Sequence, residues 1–169
     1  ENVQATHTGS LPRTPGLQDL LRVREERRPY DLETFDVEVQ QAVAAVVQKQ
    51  MDIGLDVIND GEQSRSQYAT YVKERLTGFE GERLIRARPR LEDADFPEYA
   101  ATVTHLSSRS MPQPTCSGPV AWKDWNATQK DIANLKAIAG KAKVEEVFMT
   151  SASPGVIANF LPNEYYPNE

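Results

Sequence analysis

Apolar residues recur at helical spacing in several stretches, with short β-prone runs between them. Val39, Ala42, Val43, Val46, Val47 and Met51 fall at i, i+3, i+4, i+7, i+8 and i+12. They form one stripe of a helix predicted over residues 35–53. Gly54 stands where a glycine commonly ends such a helix. Leu17, Leu20, Leu21 and Val23 predict a shorter helix, followed by the mixed-sign run 22–28, which reads as a solvated face. Tyr68, Tyr71, Val72 and Leu76 share a face if residues 66–76 are helical, and Ile132, Leu135, Ile138 and Ala139 do so over 124–142. Ser153 as N-cap with Pro154 at the first helical position starts a last helix running to Phe160.

Strand character falls on residues 3–8, 55–58, 100–106, 115–120 and 144–150. Residues 78–97 break the pattern with Gly78, Gly81, Pro89, Pro97 and many charges, so they form an excursion, either a hairpin or a lid. The pair Pro112 and Pro114 marks a turn. Strands alternating with helices predict a parallel α/β sheet. Right-handed crossovers then bring the C-terminal ends of the strands to one face. The loops expected there are polar: Thr8-Gly9-Ser10, Asn59 to Arg65, Cys116 to Pro119 and Ser151 to Gly155. In such sheets that face carries the chemistry.

Length and charge narrow the picture. At 169 residues the chain is long enough to bury a core, but a closed (β/α)8 barrel runs to about 250 residues. A net charge of -6 lacks the basic footprint of a nucleic-acid binder. No apolar run suits a membrane span, and no secretory signal pattern opens the chain. The single Cys116 excludes an internal disulfide and a multi-cysteine zinc cage. These features point to a cytoplasmic protein. A chain that begins at Glu1 and stops at Glu169 reads as a processed or truncated piece.

The loop Asn59-Asp60-Gly61-Glu62-Gln63-Ser64-Arg65 holds two carboxylates and an arginine just past a strand end. A carboxylate there can hold a substrate ammonium or act as a base. The same residues also suit a turn with a helix cap, and spacing alone does not choose. Thr8-Gly9-Ser10 can present N–H groups and a hydroxyl to an anion, or simply end a strand. Ser153-Pro154-Gly155 carries the same two readings. Cys116 reads first as a small buried hydrophobe. His7 and His105 are not spaced as paired metal ligands. No catalytic residue is singled out by spacing alone.

His7-Thr8-Gly9-Ser10-Leu11-Pro12-Arg13 resembles the opening of the catalytic barrel in cobalamin-independent methionine synthases. Gln50 through Arg65 is similar to that family's second-strand signature, and Pro114 through Val120 to its later Gly-Pro-Val segment. Phe148-Met149, Ser153-Pro154-Gly155 and Tyr165-Tyr166-Pro167 look like the shorter, single-barrel methionine-synthase-II-like branch.

The resemblance implies the N-terminal half of one TIM (β/α)8 barrel over residues 1–169, incomplete in this chain. It also implies a cobalamin-independent, zinc-dependent transfer of a methyl or alkyl group to a thiol such as homocysteine, a step of methionine biosynthesis. Gly9 and Ser10 then correspond to the turn that holds the amino-acid carboxylate, and Glu62 to the group that holds its ammonium. Asp60, Arg65 and Ser153 join the same substrate pocket. The family's His-x-Cys zinc motif does not occur here, so zinc is expected from ligands outside the chain, with no metal ligand among its own residues. The implied partners are a small-molecule thiol and a methyl or alkyl donor. The missing half of the barrel, or another chain, would cover the open sheet edge.

Epoxyalkane:coenzyme M transferases share this branch. Coenzyme M has no ammonium or carboxylate, so Glu62 would need another role there. A non-catalytic half-barrel that binds a small molecule is the reading from a different class. A porphyrin-type decarboxylase would need a basic pocket, which the acidic 60–62 loop opposes.

Overall fold

The computed structural model describes residues 3–83, 92–106 and 113–167. Helix α1 (Pro15–Glu25) starts on the Thr14 cap, whose hydroxyl accepts from the Leu17 N–H at 3.2 Å, and has Pro15 at its first position. Helix α2 (Leu32–Asp52) starts on Asp31. It ends at Gly54, whose φ of +78° is the left-handed conformation the sequence pattern anticipated. Strand β1 (Val57–Ile58) follows, then the single-turn helix α3 (Val72–Arg75). Strand β2 (Gly81–Arg83), helices α4 (Glu92–Asp95) and α5 (Pro97–Leu106), and strand β3 (Gln113–Thr115) come next. Helix α6 (Trp125–Ala139), strand β4 (Glu146–Val147) and helix α7 (Pro154–Phe160) complete the order.

The parallel sheet is built on β1. Thr6 bridges Val57 on one side, and β4 pairs with β1 on the other, Val57 opposite Glu146 and Ile58 opposite Val147. All three segments run the same way, as the alternation of elements predicts. The α/β class with parallel strands is therefore observed. Helices α1, α2 and α6 cover one side. Leu17, Leu21, Phe35, Val39, Ala42, Val43, Val47, Leu135 and Ala139 pack with Ile58 into one core. The expected stripe of α2 is this core's centre, with Val47 and Val39 almost fully buried.

Gln50 is the polar member of that buried α2 face. Its amide donates to the Asn59 carbonyl at 2.8 Å and to Val46 O at 3.0 Å, and its oxygen accepts from the Asn59 N–H at 3.1 Å. It thus closes the backbone of residue 59 where the strand ends. Gln50→Leu keeps the volume but strands both backbone groups, so we expect a loss of about 2–4 kcal/mol, read as a lower urea midpoint with an unchanged slope.

Three expectations are corrected. Residues 100–106, read as a strand from Val103 and its β-branched neighbours, lie in α5. Pro97 at its start and Glu98 in the first turn favour a helix, and the Thr102 hydroxyl bonds the Glu98 carbonyl at 3.1 Å. The helix expected over 66–76 is reduced to the turn α3. Tyr68 and Tyr71 instead reach across to Ser151, at 3.3 Å each, which holds residues 68–71 in turns. Residues 115–120 add no strand to the parallel sheet. β3 pairs antiparallel with β2, Thr115 opposite Gly81, and Cys116 bridges Asn163. Gly78, at φ +86°, lets this small sheet close, because a Cβ there would lie 2.6 Å from the Gly118 carbonyl. The loop 116–119 is therefore not among those that gather at the ends of the parallel strands. Of the turn expected at 112–114, Pro112 lies outside the described residues, while Gln113 and Pro114 belong to β3.

Candidate functional site

Each parallel segment delivers one polar loop to the same end of the sheet: residues 7–13 after Thr6, residues 59–65 after β1, and residues 149–153 after β4. Hydrogen bonds tie these loops together around Glu62. The Ser10 hydroxyl donates to Glu62 Oε2 at 2.6 Å, and the Thr150 hydroxyl donates to Oε1 at 2.9 Å. Glu62 is only 3% exposed. Both carboxylate oxygens are thus taken up by neutral hydroxyls, one from each flanking segment. A cation presented to a carboxylate kept from water in this way gains more than it would in bulk solvent.

The loop geometry that aims this side chain is costly. Gly61 and Glu62 are both left-handed, at φ +59° and +55°. Glycine tolerates that conformation and glutamate does not, at a cost of about 1–2 kcal/mol. Local bonds hold it. Asn59 Oδ1 accepts from the Gly61 N–H at 2.8 Å, and Asp60 Oδ1 accepts from the Glu62 N–H at 3.1 Å. Asn59 Nδ2 donates to the His7 carbonyl at 2.6 Å, and the Leu11 N–H to the Gly61 carbonyl at 3.0 Å. The first loop and the second are therefore a single bonded unit.

The expected pocket residues fall into different places. Ser10 and Glu62 touch. Gly9 adopts φ +101° with open space where a side chain would project, and its carbonyl accepts from the His7 ring at 3.1 Å. Asp60 and Arg65 are engaged with each other. Arg65 Nη2 lies 3.0 and 3.2 Å from the two Asp60 oxygens, with both side chains 4% exposed. Arg65 Nη1 donates to the Thr150 carbonyl at 2.6 Å, and its guanidinium lies over the Tyr71 ring. This pair therefore anchors the β4 loop beneath Glu62. Ser153 caps α7, its hydroxyl accepting from the Val156 N–H at 3.2 Å. Arg65, Tyr71, Met149, Thr150 and Ser151 also line a cavity of about 350 Å³ that runs toward α6.

Thr150 and Arg13 are parts of this arrangement that pattern reading did not single out. Thr150 carried a weak signal, a hydroxyl directly after the apolar Phe148-Met149. Arg13 stands at the end of the His7–Arg13 segment, but a surface turn and a buried strap look the same in sequence, so its role was not legible.

Among the described residues no group of three or more His, Cys, Asp or Glu side chains comes together. His7 is occupied by the Gly9 carbonyl. Cys116 is buried between Tyr71, Val72, Phe79, Ala152 and Leu161, with its sulfur 3.7 Å from the Gly118 carbonyl. Both are engaged in packing and turn formation, so these residues do not fit a zinc site. The backbone of His105 lies in α5.

A second acidic group lies behind the loop. Glu74 pairs with Arg24 at 2.9 Å, while its other oxygen is buried without a partner. Burial pushes its carboxyl above the ordinary glutamate range, and Arg24, Arg75 and Lys73 offset this only in part. The folded chain then holds this proton more tightly than the unfolded chain. That stabilisation is complete below the unfolded pKa and is lost as pH rises through the folded one. We expect Glu74→Gln to flatten the decline in urea stability across that interval, measured as midpoints in a pH series.

The family model of the cobalamin-independent synthase catalytic domain matches residues 3–87. A 5-methyltetrahydropteroyltriglutamate–homocysteine methyltransferase of Corynebacterium glutamicum is 27% identical over 170 residues, an alignment covering 87% of this chain and 22% of that protein. The enzyme of the same name from Shewanella oneidensis is 25% identical, covering 90% of this chain and 22% of its own length. Among solved structures, a B12-independent methionine synthase from a Shewanella species, in complex with selenomethionine, superposes with a TM-score of 0.65 at 20% identity. That match covers 96% of this chain and 41% of the other. A B12-independent methionine synthase assignment from Listeria monocytogenes superposes at 0.57 and 21% identity, covering 98% and 42%. The structural likenesses show a shared fold. The chain spans 22% of the length of these curated relatives.

Proposed function

The chain belongs to the cobalamin-independent synthase catalytic-domain family, and from that membership we propose that it forms the opening half of a (β/α)8 barrel that transfers a methyl group to a thiol. In this reading residues 1–169 are one barrel portion and 78–97 is an excursion or lid-like insertion, of which 84–91 lie outside the described residues. The acceptor is homocysteine and the donor a 5-methyltetrahydropteroyl glutamate, as the names of the relatives say of those proteins. The complete protein is then a cytoplasmic enzyme of methionine biosynthesis.

The observation that carries this reading is the Glu62 carboxylate, buried at the strand ends and bonded there by the Ser10 and Thr150 hydroxyls. An α-ammonium placed there neutralises the charge and makes charge-assisted hydrogen bonds. Gly9 and Ser10 hold the α-carboxylate at the neighbouring turn, where Gly9 leaves open space. Asp60 and Arg65 position Thr150 and the Glu62 backbone, and Ser153 shapes the far wall. Gripping both backbone charges of the amino acid fixes its side chain in one direction, and that is how binding supplies orientation to a transfer step. Zinc is expected of the family. In this reading its ligands come from parts of the enzyme outside this chain.

Strand β4 has no partner on its far side among the described residues. Val147 and Ile132 are each more than 40% exposed there. In the proposed barrel the next strand and helix cover this edge. The test is to give the intact protein L-homocysteine and 5-methyltetrahydropteroyltriglutamate and follow methionine by mass spectrometry. Methionine formation supports the reading. No methionine, with consumption of an epoxyalkane in the presence of coenzyme M, would replace it with the alkyltransferase. Inactivity in both, with retained ligand binding, would favour the binding module.

A further inference from the structure

Arg13 sits beside the site and bonds its main chain. Its Nη2 donates to two main-chain carbonyls, Glu62 O and Arg65 O, each at 2.7 Å. These bonds span 49 and 52 residues of chain. The first bond falls on the left-handed Glu62 itself, which follows a left-handed Gly61, and the second falls three residues further on. The same short segment contributes two more straps. The Leu11 N–H donates to the Gly61 carbonyl at 3.0 Å, and Gln63 Nε2 donates to the Leu11 carbonyl at 3.0 Å. Ser10, immediately upstream, is the residue whose hydroxyl meets the Glu62 carboxylate.

A guanidinium is a costly way to satisfy two neutral carbonyls. Arg13 is desolvated, its Nε is buried without a partner, and burial lowers its proton affinity despite the nearby charges of Glu62 and Asp60. Neutral groups could fill the same space. What a guanidinium adds is a planar, permanently charged donor whose Nη2 alone reaches both ends of the 62–65 turn, its two N–H directions fixed by the plane. Left to itself, residue 62 would favour the right-handed region by roughly five- to thirtyfold. That change would swing its carboxylate away from Ser10 and Thr150.

We infer that Arg13 is a positioning residue: it locks residue 62 in the left-handed conformation that places the carboxylate between Ser10 and Thr150, and so sets affinity for an ammonium-bearing substrate without contacting it. This rests on the proposed role of Glu62. It adds a specificity determinant outside the pocket, one whose effect is confined to ligands with an ammonium group.

The test compares two ligands on the intact protein by calorimetry: L-methionine, and 4-(methylthio)butanoate, which lacks only the ammonium. Arg13→Gln is expected to raise the Kd for methionine on the order of ten- to a hundredfold. The Kd for the des-amino acid should change by less than about threefold. Arg13→Lys, whose ammonium keeps the charge without the planar donor geometry, should fall between, and it serves if the Gln variant does not fold. In a Glu62→Gln background, Arg13→Gln should add nothing further.

Equal weakening of both ligands would reduce Arg13 to a general structural role and overturn the inference, as would unchanged binding of methionine. The two levels separate cleanly. If Glu62→Gln abolishes the preference for methionine while Arg13→Gln leaves it intact, only the Arg13 inference fails. If the wild-type protein shows no preference for methionine over its des-amino analogue, the Glu62 reading fails and takes this inference with it.

Discussion

Glu62→Gln is expected to weaken binding of an amino-acid ligand to the intact protein by on the order of a hundredfold or more, while unfolding stability stays within about 1 kcal/mol of wild type. The asymmetry follows from what surrounds the side chain. Its partners within the protein are two hydroxyls, at 2.6 and 2.9 Å. A hydroxyl can turn to donate or accept, so the amide of glutamine satisfies both without rearrangement. An incoming ammonium has no such freedom. It donates only, meets an amide nitrogen where a charged oxygen stood, and is left desolvated. The fold should therefore barely register the change while the ligand registers it strongly. Calorimetric titration with L-methionine, alongside urea unfolding of both proteins, separates the two.

Asp60→Asn should do the opposite and cost about 3–5 kcal/mol of stability. Asp60 and Arg65 form a pair whose side chains are each 4% exposed. Removing one charge leaves the other in a low-dielectric setting without compensation. Arg65 cannot retreat to solvent, because its Nη1 is bonded to the Thr150 carbonyl at 2.6 Å and its guanidinium packs over Tyr71. The double variant with Arg65→Met should recover a large part of the loss, since two neutral groups carry no unpaired charge. Recovery should be incomplete, because the Thr150 carbonyl then loses its donor. Urea midpoints of the four proteins in the cycle measure this directly.

The parts of the fold legible in the sequence are those where local pattern and tertiary demand agree. The α2 and α6 stripes, the Gly54 that ends α2 and the capped start of α7 are cases where one periodicity or one cap decides the outcome. The parallel order around β1 followed from the alternation of elements. Residues 100–106 misled because strand propensity of β-branched residues is weaker than a proline-led helix start. The 66–76 segment has helical spacing, yet the hydroxyls of Tyr68 and Tyr71 gain partners on Ser151 only if the helix gives way. Residues 115–120 were misread as part of the main sheet because pairing partners cannot be read from one strand. The cluster at the strand ends was partly foreseen, with Gly9, Ser10 and Glu62 named from motif and placement. What no spacing could disclose is that Asp60 and Arg65 neutralise each other, that Thr150 supplies the second hydroxyl, and that Arg13 reaches across some fifty positions to hold the backbone.

The central claim is that Glu62 receives the α-ammonium of an amino-acid thiol at the ends of the parallel strands. A crystal structure of the intact protein grown with L-selenomethionine tests it most directly, since selenium locates the ligand independently of the protein. The claim predicts the ligand's amino nitrogen about 2.7–3.2 Å from the Glu62 carboxylate, with its carboxylate at the Gly9–Ser10 turn. A ligand bound elsewhere, or one that turns its carboxylate or side chain toward Glu62, would contradict it.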